Sequence, residues 1–287
     1  MAGIQKWEIE PFERFHEYHH RCADLLHMLR EAAHFVQARP ILIELMRAEW
    51  GPQKTEFELA QAERNAKIAL AEAEAGHPLL HAQAVVILWG GLEALLLDFL
   101  ATWLINKPES RTLEPVKNLK IGFGEYEGLP PEDRAAYLLE RLEDKLGSRR
   151  AGGVERFEAL FRLFGMSSEV DERIVRDLLE LSAIRNLLVH KRGIVDVRFR
   201  NQCPWTVWEV GSQIAVSYDD YRRYFDAVDL YVFEVTQRLL TYHGLPRSGH
   251  EPTCRFHVAE EPSKKLPRPA GAWVRVETPA PEPGYGV

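Results

Sequence analysis

Cysteine is scarce in this chain of 287 residues. Cys22, Cys203 and Cys254 stand far apart, odd in number, with no CxxC pair. That argues against a disulfide framework, and it points to reduced thiols and a cytoplasmic protein. GxGxxG, P-loop and HExxH motifs are all missing, and Gly122-Phe123-Gly124 is too short to cradle a phosphate. Four histidines gather near the start, His16, His19, His20 and His27, with Glu13/His16 and Glu17/His20 at carboxylate–histidine spacing. A di-iron bundle needs that spacing on two core helices plus further inward glutamates. No convincing second set exists, so surface histidines are expected, with neither metal nor cofactor. An uncharged membrane-length run is lacking too. The most apolar stretch, 82–105, contains Glu93 and Asp98, and an Asp at a span's centre costs roughly 2.5–3.5 kcal/mol. A buried core helix and no membrane partner are expected. The opening MAGIQKWEIEPFERF is charged throughout, unlike a signal peptide.

Positive charge is in deficit, the net value being −7. That argues against a general nucleic-acid coating protein, but not against an RNA enzyme with a local basic patch. One window departs from the rest. Residues 185–200 hold Arg185, Lys191, Arg192, Arg198 and Arg200 against Asp196 alone, a local +4 in an otherwise acidic chain. The helix macrodipole accounts for Lys191 and Arg192 at a helix end, but not for Arg198 and Arg200.

Apolar patterning predicts helices over 10–37, 79–105, 154–164, 169–190 and 218–242, Ala- and Glu-rich composition one over 53–75, and Pro130-Pro131 with Gly147 bound one through Leu146. Pro40 is expected to open a further short helix to Trp50. Ser167 or Ser168 is expected to cap the 169–190 helix, and Ser217 the last one. Alternation over 194–199, 206–210 and 213–216 predicts a small β-hairpin or meander between these two helices. The fold class expected is mainly α, a helical bundle with that β insertion. Its divisions are an N-terminal helical extension (1–77), a main domain (78–245) and a proline-rich tail (246–287) with one candidate strand at 273–276.

The densest chemistry lies in 184–196, IRNLLVHKRGIVD. Arg185 and His190 stand five apart, Asn186 follows the arginine, and Gly193 closes the helix. A guanidinium, an imidazole and an amide near one helix end can hold a phosphate and move protons around it. The spacing alone is not specific, because Arg14/His19 and Arg238/His243 repeat it. Five residues also turn a straight helix by about 140°, so Arg185 and His190 do not share a face. A wrapping arginine, a loosened helix end, or a symmetric second chain would each bring such groups together. Arg185 can also simply pair with Glu180 or Asp196.

This stretch resembles the signature of the HEPN superfamily, an arginine and a histidine with four to six residues between them and a polar residue, often Asn, after the arginine. The exit His190-x-x-Gly193-x-x-Asp196 is similar too. The close match covers about a dozen residues; a looser one reaches the flanking helices. The resemblance implies a HEPN-like bundle and a homodimer with a composite site. It implies metal-independent RNA cleavage by the substrate's own 2′-hydroxyl, in stress response or phage defence, with an inhibitor or antitoxin as a further partner. His190 would be the acid or base, Arg185 the phosphate ligand and Asn186 the orienting amide. Lys191, Arg192 and Arg198 are the candidate RNA contacts. Glu93, Glu180 and Asp196 are the candidate supports, Glu93 either facing the motif helix or lying on an exposed stripe. Relatives with a tyrosine two places after the histidine have it modified; Arg192 stands there instead. The other reading is a non-catalytic dimeric scaffold, antitoxin partner or RNA sensor of the same type.

Overall fold

A computed structural model describes residues 3–248; the candidate strand at 273–276, Cys254 and all of the tail beyond Ser248 lie outside the described residues. Eleven α-helices follow in order: α1 (Lys6–Leu45), α2 (Arg47–Trp50), α3 (Pro52–Glu74), α4 (Pro78–Asn106), α5 (Glu114–Lys117), α6 (Phe123–Gly128), α7 (Pro131–Leu146), α8 (Glu155–Leu163), α9 (Glu172–Lys191), α10 (Val197–Gln202) and α11 (Tyr218–Tyr242).

The apolar run expected to be a core helix is α4. Leu92, Leu96, Phe99, Leu100 and Trp103 are all but sealed from solvent, and the helix packs against α1, α7, α8, α9 and α11. α4 is long and apolar enough to cross a membrane, and half of its most apolar window is buried against the protein itself. Gly91 permits the close approach of α1, since a Cβ there would sit 3.0 Å from the Tyr18 ring. Phe12, Phe15 and Leu26 of α1 join the same core. The N-terminal residues expected to form an extension thus also contribute to the main body.

Three expectations are corrected. Pro40 lies inside α1, as does Pro11, rather than opening a new helix. Proline removes one N–H from the ladder, and packing along α3 holds α1 through that gap. Asp171, not Ser167 or Ser168, caps α9 by accepting from the Arg173 amide at 2.8 Å; the Ser168 hydroxyl instead meets Glu234 and Arg238. The expected hairpin is absent among the described residues. Ile194 and Gln213 form one isolated antiparallel bridge, and residues 197–202 are helical because the Asp196 carboxylate accepts from the Phe199 amide at 2.8 Å. An N-cap overrides a weak alternation when the chain is only six residues long.

Gly153 (φ +58°) lets the turn before α8 lie on α9. A Cβ there would come within 2.9 Å of the Leu179 Cα, which is backbone and does not yield. The Gly153 amide also donates to the Ser182 hydroxyl at 3.1 Å. Gly153→Ala is expected to destabilise by more than about 1 kcal/mol, read as a lower urea midpoint.

His81 is 1% exposed on α4, stacked on the Tyr221 ring. Burial, with Arg30 and His77 nearby, pushes its pKa down to about 4. The unfolded chain therefore takes up a proton from about pH 6.5 downward while the folded chain stays neutral to about pH 4. The stability held above pH 6.5 is lost as the pH falls through this window, by roughly 3 kcal/mol at most. Urea midpoints at pH 7.5 and pH 4.5 should therefore differ less for His81→Phe than for wild type.

Candidate functional site

α9 presents Arg185 half-buried and His190 exposed. The helix does not loosen before its end. It runs unbroken through Lys191, and Arg192 (φ +56°) and Gly193 (φ +75°) then turn left-handed. The Arg192 and Gly193 amides both return to the Leu187 carbonyl, the latter at 2.9 Å. The loop before α11 pins this turn. The Gln213 side-chain amide donates to the Arg192 carbonyl, and the Ile214 amide to the Gly193 carbonyl. Arg185 and His190 are consequently about 7.5 Å apart along the axis and about 140° apart around it, so one chain does not converge them.

Each motif residue has a definite setting. Arg185 Nη1 donates to Asn186 Oδ1 at 3.1 Å, and Nη2 lies 3.9 Å from Glu93 Oε2. Glu93 therefore faces the motif helix. Its other oxygen accepts from Arg156 Nη1 at 2.6 Å, and Arg156 is in turn gripped by the buried Glu143 at 2.6 and 3.2 Å. Burial opposes the Arg156 charge, but Glu143 and Glu93 outweigh it and raise its pKa. Arg156 and Glu143 carried no signal in the sequence, because a lone arginine in the first turn of a short amphipathic helix looks like any solvated charge. His190 makes no hydrogen bond or ion pair among the described residues, and Lys191, Arg192 and Arg198 are likewise exposed. Arg200 differs, its guanidinium donating to the Thr206 carbonyl.

Two expected supports lie elsewhere. Asp196 caps α10. Glu180, five residues before Arg185, points away from it by the same helical rotation. It is 3% exposed and accepts from Trp205 Nε1, Tyr224 Oη and Arg223 at 2.6, 2.6 and 2.8 Å.

The two other Arg/His copies are taken up by packing. His19 is stacked between Phe15 and Phe225 and lies 3.1 Å from Asp229, while Arg14 pairs with Glu10 and Asp98. Arg238 is buried against Glu158 at 2.9 Å, and His243 meets the fully buried Glu8 at 2.9 Å. Glu13, His16, Glu17 and His20 are exposed on α1, outside any bundle core. Among the described residues no group of three His, Cys, Asp or Glu is placed to hold a metal. The Cys203 thiol is buried and pushed up to about 12 by that burial and by Glu180, so it stays protonated. Compared with family models, curated proteins and solved structures, the chain matches none.

Proposed function

We propose that the protein is a HEPN-type endoribonuclease that works as a homodimer without a metal. The observation that carries this reading is the selective exposure of one motif copy. Of three Arg/His pairs at identical spacing, only the one at 185/190 has a histidine that is solvent-exposed, and Lys191, Arg192 and Arg198 are exposed as well. The helix dipole accounts for Lys191 and Arg192 but not for Arg198, whereas a phosphodiester substrate calls for all three.

The chemistry is internal transfer. An imidazole takes the proton of a ribose 2′-hydroxyl, the oxygen attacks the adjacent phosphorus, and the P–O5′ bond breaks as a second imidazole protonates the leaving 5′-oxygen. The products are a 2′,3′-cyclic phosphate and a 5′-hydroxyl. One chain offers one His190, so the second comes from a two-fold mate. Val189, Ile194 and Val197, 50%, 39% and 61% exposed beside it, supply apolar contact for that mate. Arg185 holds the phosphate and stabilises its developing charge. Asn186 and Glu93 set the guanidinium's direction.

Incubation of the full chain with end-labelled RNA in excess chelator tests this. Cyclic-phosphate ends are expected. Intact RNA at all concentrations would favour the non-catalytic dimeric module. Glu93→Gln removes the charge that faces Arg185 but leaves Glu143 on Arg156. It is expected to slow cleavage roughly ten- to hundredfold, as small displacements of a positioned group do, with most of the loss appearing at subsaturating RNA.

A further inference from the structure

The α1–α3 pair carries an apolar stripe that nothing among the described residues covers. α3 packs on α1 and on the short α2, with Ala62 and Thr55 sealed on the inner side. On the outer side of α1, Leu25, Met28, Phe35 and Leu42 are 51%, 63%, 75% and 55% exposed. With Ala32 and Arg39, also exposed, they alternate by three and four residues. That is the seam of a coiled coil. Phe57 and Ile68 of α3, 71% and 52% exposed, share by helical rotation one face of α3, turned away from the sealed Ala62.

We infer that this stripe pairs antiparallel with its own copy in a second chain, across a two-fold axis passing between Ala32 and Phe35. The stripe is self-complementary when reversed. Phe35 of one chain meets the small Ala32 of the other, Leu25 meets Leu42, and Met28 meets the aliphatic stem of Arg39. Each contact occurs twice, as a two-fold interface requires. The exposed apolar surface is on the order of 700 Å² per chain, taking roughly 150–250 Å² for a whole aromatic side chain, and a standard interface needs about 800 Å² per partner. A lipid surface fits less well. Arg39 sits in the seam, tied to Glu58 at 3.1 Å. A single charged seam position fixes the register of paired helices at some loss of stability, whereas in hydrocarbon it is expensive.

Sedimentation of the full chain at micromolar concentrations tests this independently of any RNA cleavage. The wild-type mass, four copies with the His190 two-fold formed as well and two copies without it, is expected to be halved by Phe35→Glu and by Ala32→Lys, both exposed positions, with helix content unchanged by circular dichroism. Mixing the two variants is expected to restore association. The lysine introduced at position 32 of one chain then meets the glutamate introduced at position 35 of the other, while the second Ala32/Phe35 contact is intact. A mass unmoved by Phe35→Glu overturns the inference, as do variants that stay apart on mixing. A wild-type chain that sediments as one copy and pellets with phosphatidylcholine vesicles also overturns it, assigning the stripe to lipid.

Discussion

His190→Ala is expected to cut RNA cleavage by about 10²–10⁴, the usual contribution of a positioned acid or base, and Arg185→Ala by about 10²–10³, the usual contribution of a group that stabilises transition-state charge. Neither change should disturb the fold much. His190 is exposed and touches nothing through hydrogen bonds or ion pairs among the described residues. Arg185 holds only its neighbour Asn186 and a long contact to Glu93. Surface changes of this kind stay within about 0.5 kcal/mol, so thermal unfolding and sedimentation should match wild type. The double variant should lose little beyond the worse single one, since groups acting in one step do not add. Wild-type rates in both single variants would remove the site from the chemistry. The same substitutions at Arg14/His19 or Arg238/His243 give the converse result. Removing His19 or Arg238 should lower stability, because their side chains are packed or ion-paired inside the protein.

Arg223→Met is expected to destabilise the protein by about 3–5 kcal/mol, the effect of stranding buried charge by removing its partner. Arg223 lies between Asp177 and Glu180, the latter at 2.8 Å, and Tyr224 and Trp205 donate to the same Glu180. Burial already pushes the Asp177 pKa up, and Arg223 is the main group resisting that push. Without the guanidinium, Asp177 should take up a proton on folding. The deficit against wild type should therefore shrink as pH falls through the carboxylate range, where the unfolded chain is protonated too. In calorimetry the melting temperature should drop by roughly 6–20 °C, at about 2–4 °C per kcal/mol for a domain of this size. A drop of only one or two degrees would mean that Asp177 and Glu180 are satisfied without the arginine. Cleavage by the variant, assayed well below its melting temperature, should persist, because Arg223 bonds to Asp177, Glu180 and Tyr224 and to none of Arg185, His190 or Glu93.

Much of the helical framework was legible because it follows from a period. α4 was readable from its apolar density, α11 from Ser217 and its capping box, and α9 from apolar positions such as Ile174, Leu178, Leu181 and Ile184. What misled were short-range signals, one overruled by packing and the other by a competing local cap. Pro40 reads as a break, yet it is carried within α1. Residues 194–199 alternate like a strand, yet Asp196 caps a helix from that very position. The site was legible in part. Arg185, Asn186, His190 and Glu93 were visible as candidates, while Arg156 and Glu143 were not, because residues 93, 143 and 156 meet only through packing of three helices.

Chemical character was settled by the chain itself: helical content, a chain acidic overall with one basic window, and three Arg/His spacings, of which the middle one has Asn186 beside the arginine and Gly193 at its exit. Which of those spacings faces solvent, and which are consumed by ion pairs and aromatic stacking, was decided by packing alone. Spacing along one helix fixes rotation and rise, but burial depends on what a distant segment brings to the same place. Glu180 and Arg185 differ by about one and a half turns and so belong to opposite worlds, one locked against α11 and the other turned toward Glu93 at the surface.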